Sequence, residues 1–206
     1  MAAPHTTVMK TLTHRRLLFI ILLVASIVGT LVICLVMNLV LIPAIEAGDA
    51  PMRCFDMCTT GYTPQDAHAF VNWLSPDALH AYLHVQLPLD FFYPICYTVM
   101  FVLLWIALHG KPNWMLALPA ALCVADYVEN SLVIVMLRHP DFSNAVVRVA
   151  SWATMIKTAL MYLIFVLWAI AGVVCLVRWL RMRSQRKQAE EDAKAASAGG
   201  ATDATK

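Results

Sequence analysis

Apolar positions along this chain gather into four long runs, separated by stretches where charge, proline and glycine collect. Residues 17–42 hold no charged side chain. Residues 90–109 carry Asp90 and Pro94, residues 114–137 carry Asp126 and Glu129, and residues 149–177 carry Lys157. A helix of about 20 apolar residues crosses the roughly 30 Å hydrocarbon layer of a bilayer. All four runs are therefore predicted to be transmembrane helices. The first and fourth exceed that length and are expected to tilt or to extend past the headgroups. The fold class predicted is an all-α membrane protein, a four-transmembrane-helix bundle.

The segment between the first two runs, residues 43–89, has a pattern of its own. Thr63, Pro64 and Asp66 read as an N-cap, a proline at the first helical position and an acid in the first turn. Ala67, Phe70, Val71 and Leu74 follow at helical spacing. Ser75, Pro76 and Asp77 repeat the start signal, and Leu79, Tyr82, Leu83 and Leu87 continue it towards Pro88. The spacing predicts two short amphipathic helices that lie on the outer membrane surface or lid the bundle. Trp73 and Tyr82 suit the membrane interface, where an apolar ring with a polar tip is at home.

Composition agrees with the pattern. The chain is 61% hydrophobic and 14% charged, against about 25% charged in soluble domains. Its mean hydropathy is +0.70. This excludes a soluble globular domain. Lys10, Arg15 and Arg16 precede the first run as in a signal peptide, but a signal core spans only about 7–15 residues. An uncleaved signal anchor is the expectation; the acid-free start also resembles an organelle transit peptide.

Basic residues assign the sides. Lys10, Arg15, Arg16, Lys111, Arg178, Arg181, Arg183, Arg186 and Lys187 fall on one side, and Arg53, Arg138 and Arg148 on the other. The positive-inside rule then places both termini in the cytoplasm. Residues 1–16 become a cytoplasmic N-terminus, 17–180 the transmembrane domain with loop 43–89 outside, and 181–206 a basic and then disordered cytoplasmic tail. Next to a bilayer, Arg178, Arg181, Arg183, Arg186 and Lys187 are expected to hold anionic lipid headgroups, at about 1 kcal/mol per charge.

Charges inside the runs carry the candidate chemistry. At about 1.5 Å rise per residue, Asp126 and Lys157 both lie roughly 12 Å below the outer boundary. Asp126, Glu129 and Asn130 share one helix face, as do Thr154, Lys157, Thr158 and Met161. An isolated ion at this depth costs about 2.5–3.5 kcal/mol. The expectation is a bundle interior in which Lys157 bridges Asp126 and Glu129, with Asp90 close by and Asn38 contributing from the first helix. Three carboxylates to one ammonium imply a shared proton, water or a cationic ligand.

Cys54, Cys58, His80 and His84 form a zinc-ligand set by type. The gap between the pairs is longer than in the usual finger, and an outward loop favours a Cys54–Cys58 disulfide or free thiols. Small residues at Ala117, Ala121 and Ala125, and at Ala25 and Gly29, mark seams of close helix approach, within the chain or across a homodimer. Pro94 and Pro119 are expected to kink their helices.

The segments FDMCTTGYTPQDAHAFVNWL, LDFFYPICYTVMF and DYVEN, in that order, resemble a family of small four-span proteins of bacteria and protists. The likeness covers roughly residues 55–165. It implies the four-span architecture and no chemistry. The layout is also loosely similar to sterol isomerase and sigma-2-receptor-like bundles, as architecture alone.

No G-x-S-x-G, H-E-x-x-H, P-loop or dinucleotide motif occurs. No cofactor and no nucleic acid partner are expected. The reading is a non-enzymatic binding, scaffold or accessory protein with a buried charged layer. The alternatives are a lipid- or sterol-directed enzyme or receptor that uses Asp126 and Glu129 as an acid/base pair or amine ligand, and a proton-coupled channel or carrier. A lipid-like or amine ligand is the expected small-molecule partner.

Overall fold

The computed structural model describes the backbone of residues 4–203 and the side chains of residues 14–189 and 191. All regular structure among the described residues is helical. In chain order the helices are α1 (Pro4–Val36), α2 (Ile42–Ile45), α3 (Pro64–Trp73), α4 (Pro76–Ala81), α5 (Leu87–His109), α6 (Ala117–Arg138) and α7 (Asn144–Asp203). Four helical runs are long and apolar enough to cross a membrane by length and composition: His14–Ile45, Pro76–His109, Trp114–Arg138 and Asn144–Ala189. The chain divides into two compact units, Met1–Ile164 and Phe165–Lys206.

Two of the runs differ from the sequence reading at the ends that border residues 46–75. The second does not begin at Asp90. It starts at Pro76 and passes through a π-helical turn, Tyr82–Gln86, into α5 without a break. The first makes the same manoeuvre through a π turn at Met37–Leu41 before α2. In both, a proline (Pro43, Pro88) follows two residues after the π turn. A proline lacks an N–H and its ring crowds the preceding carbonyl. A wide turn just before it relieves that conflict, so Pro88 does not stop the helix. Pro119 sits in the first turn of α6, just after the 3₁₀ turn Trp114–Leu116.

Within the first unit, α1 packs on α5 and α5 on α6. Gly29 permits the first contact. A Cβ there would stand 3.3 Å from Cys96 Sγ, tighter than ordinary packing. Of the Ala117, Ala121 and Ala125 stripe, the first two are exposed and Ala125 is half-buried. The α5–α6 hairpin is closed by Gly110, at φ +74°, whose N–H bonds Ile106 O at 2.7 Å, and by Asn113, whose side chain caps Met115 N–H at 3.1 Å.

The segment between the first two runs folds as a lid. Thr63 and Asp66 form a reciprocal capping box at the start of α3, and the Ser75 side chain caps α4. Both short helices thus stand where their start signals put them. Ala67 and Phe70 of α3 are fully buried and Val71 nearly so. Phe70 meets Phe55 edge-on at 5.4 Å, and Phe55 meets Tyr62 at 5.1 Å. Tyr82, expected at the interface, is only 2% exposed and belongs to this core. The correction follows from the lid: a ring beneath a folded loop faces protein.

In the second unit, α7 continues as helix to Asp203, past Gln188 where disorder is predicted. The segment is rich in Ala, Glu, Gln and Lys, which are strong helix formers even when they bury nothing.

Candidate functional site

The site begins with one face of α6. Asp126 (2% exposed), Glu129 (0%) and Asn130 (1%) all point inward. From α7, Lys157 places Nζ 3.3 Å from Asp126 Oδ1 and also pairs with Glu129 Oε2. Thr154, one turn earlier on α7, donates its hydroxyl to Glu129 Oε1. From α5, the Tyr97 hydroxyl donates to Asp126 Oδ2 at 2.9 Å. The expected Lys157 bridge is therefore formed, and each of its two acids has further donors. In a low-dielectric interior this matters, because a buried charge is tolerated only when paired and hydrogen-bonded.

Pro94 explains the role of Asn130. In a regular helix the N–H of residue 94 would bond the carbonyl of residue 90. Proline has none, so the Asp90 carbonyl is orphaned inside the bundle. Asn130 Nδ2 donates to it at 3.0 Å, and also reaches Asp126 Oδ1 at 3.4 Å. Nearby, the Tyr127 hydroxyl donates to Phe91 O at 3.0 Å. Two side chains of α6 thus repair or brace the backbone of α5 around its proline.

Beside the ion layer lies a cavity of about 230 Å³. Met37, Met57, Met161, Tyr93 and Tyr162 supply its apolar wall, and Asp56, Asp90, Asp126 and Lys157 its charges. The Asp90 carboxyl is 4% exposed and lines this space. Among the described residues, no hydrogen bond or ion pair engages it. Asn38 stands at the rim: it is exposed, and its amide donates to Cys34 O at 2.9 Å on its own helix. It does not join the ion layer, because the turn that carries it faces outward apart from Met37.

Asp56 is the participant that sequence reasoning missed. It sits in a one-turn 3₁₀ helix, Phe55–Met57, in the lid. The Tyr82 hydroxyl accepts from Phe55 N–H at 3.1 Å and donates to Asp56 Oδ1 at 3.3 Å. Burial pushes the Asp56 carboxyl above the usual carboxylate range; the Lys157 charge opposes this and the Asp126 charge adds to it. The lid turn is pinned at both ends. Glu46 accepts from Cys54 N–H at 2.7 Å and pairs with Arg53 at 3.4 Å. Tyr62 N–H bonds Ser151 Oγ at 2.9 Å. An acid flanked by Phe55 and Met57 was the available signal, overshadowed by the cysteines on either side.

The zinc set is not assembled. Among the described residues, no group of three or more His, Cys, Asp or Glu is arranged for a metal. Cys54 and Cys58 are free thiols in the lid. His80 and His84 are exposed, with ring centres 4.6 Å apart and planes tilted by 40°. In the second unit Arg178, Arg181, Arg183, Arg186 and Lys187 are all exposed, with the Arg183 guanidinium 5.2 Å from the Trp179 ring centre.

No protein-family model, no curated protein and no solved structure matches the chain.

Proposed function

We propose that this chain is a multi-pass membrane protein whose helical bundle binds a lipid-like molecule, without converting it. The observation that carries this reading is the cavity with a methionine and tyrosine wall, set beside a buried ion layer. The polarity of the molecule supports the membrane setting. Leu31, Val32, Phe92, Val124 and Ile156 are exposed, while Asp90, Asp126, Glu129 and Asn130 are buried. Hydrocarbon outside and charge inside is the arrangement a bilayer selects.

Both termini face the cytoplasm on the basic-residue count, and the lid faces out. The exposed Arg178, Arg181, Arg183, Arg186 and Lys187 then meet anionic headgroups. The uncovered Ala117 and Ala121 stripe is where a homodimer would form. The resemblance to the small four-span family supports the same architecture. The layer of Asp126, Glu129, Asn130 and Lys157 serves to hold the bundle in register. Both acids are already engaged by Lys157, Tyr97 and Thr154, which argues against an acid/base pair awaiting substrate.

Two measurements test this. Alkaline carbonate washing should leave the full-length protein in membranes, and tags at both ends should be shielded in sealed right-side-out cells. Native mass spectrometry of the purified protein should show a bound lipid-like mass that Met161→Trp displaces by filling the cavity. Release by carbonate, or a bound mass indifferent to Met161→Trp, would refute the reading.

A further inference from the structure

We infer that Asp56 and Asp90 form an ammonium subsite at the cavity, which takes the cationic head of an amphiphilic amine. The inference rests on the lipid cavity proposed above and names the chemistry of its occupant.

The carboxylates around this cavity are not equivalent. Asp126 has Lys157, Tyr97 and Asn130; Glu129 has Lys157 and Thr154. Lys157 commits its two ion pairs to α6, although it also lines the cavity and its charge reaches Asp56. Asp90 is buried to the same degree as Asp126 and has no such partner. Asp56 has only neutral donors, the Tyr82 hydroxyl at 3.3 Å and its own backbone N–H. These two acids come from different elements, the lid and α5, and line one cavity. A buried carboxylate without a counter-charge is unfavourable. Asp90 bears that penalty in full and the half-buried Asp56 in part, and a cation between them would relieve it.

The rest of the lining selects the kind of cation. Calcium takes six to eight oxygen ligands, and magnesium an octahedral shell rich in water. Here Asn38, Asp126, Lys157 and Thr158 add polar groups, and the rest of the wall is methionine and cysteine sulfur and aromatic ring. An alkylammonium suits that mixture, with its N–H groups on the carboxylates, the Tyr93 ring beside it and its chain along Met37, Met57 and Met161. The cavity holds the volume of only about seven waters. A longer chain must leave past Asn38 and Tyr162, the exposed residues at the mouth.

The experiment uses the full-length protein in phosphatidylcholine nanodiscs and compares tritiated dodecylamine, dodecanol and butylamine. Dodecylamine should bind saturably, and at least tenfold more weakly in Asp90→Asn and in Asp56→Asn. Dodecanol should bind all three proteins alike. Dodecylamine affinity unchanged in both variants overturns the subsite and leaves the lipid cavity standing. Failure of both dodecylamine and dodecanol to bind the native protein removes the cavity reading itself. Butylamine binding as tightly as dodecylamine overturns the amphiphile assignment in favour of a soluble amine. Calcium chloride displacing dodecylamine at equal concentration overturns the organic cation in favour of a metal ion. Asp56 sits in the lid rather than in a long helix, so Asp56→Asn keeps the test decisive if Asp90→Asn does not fold.

Discussion

Lys157→Met removes the one ammonium that serves two buried acids. Asp126 keeps the Tyr97 hydroxyl and Asn130, and Glu129 keeps the Thr154 hydroxyl. Those bonds exist before and after the change and offset nothing. Breaking a buried ion pair by removing one partner costs about 3–5 kcal/mol. Protonation of one acid relieves part of this, so the low end, about 3 kcal/mol, is expected. For a chain of this length each kcal/mol moves the melting temperature by about 2–4 °C, which gives a drop of about 6–12 °C. The assay is loss of the monodisperse peak in size-exclusion chromatography after graded heating in detergent. The decisive companion is Lys157→Met combined with Asp126→Asn and Glu129→Gln. Those amides keep partners for Tyr97 and Thr154 while abolishing the unpaired charge, so melting should return to within about 4 °C of the native protein. The reasoning fails if Lys157→Met melts like the native protein, or if the triple variant falls as far as the single one.

Four further outcomes are expected. Thr63→Ala should destabilise α3 by about 1 kcal/mol, read as faster amide hydrogen exchange across Pro64–Trp73. Hydrogen bonds from the Thr63 side chain and backbone hold the Asp66 carboxyl below its ordinary value. Its contribution is therefore complete above the unfolded carboxylate range and lost as pH falls through the folded value, so the protection of α3 amides, corrected for the intrinsic exchange rate at each pH, should fall on acidification. In the folded protein, burial pushes the Cys58 thiol up to about 11 and the Cys54 thiol higher still. Alkylation of either at pH 8 should be far slower than that of an exposed thiol, and rapid labelling in intact protein would contradict the lid. Gly61→Ala forces a side chain onto φ +87° and sets its Cβ 2.8 Å from Ser151 Oγ. It should break the Tyr62–Ser151 bond and cost about 1–3 kcal/mol, seen as earlier melting and faster thiol labelling of Cys58.

Periodicity and hydropathy alone located all four long helices, the lid helix α3, the start of α4 and the pairing of Lys157 with Asp126 and Glu129. These are local or one-dimensional properties. A helix advances by a constant rise, so depth can be counted along it, and an unpaired charge among apolar residues must find a partner. The chain order could not show what depends on packing across elements. Pro88 looked like a stop, because the π turn that lets the helix pass it is visible only as backbone. Tyr82 looked interfacial, because the lid that covers it arrives from residues 46–75. Asn130 looked like one more polar group, yet its task follows from the carbonyl that Pro94 strands on the neighbouring helix. Asp56 looked like a loop acid until the lid turn carried it to Asp90. Folding brought these two together from opposite ends of a loop and a helix, and spacing along a chain says nothing about which carboxylates end up without a counter-charge.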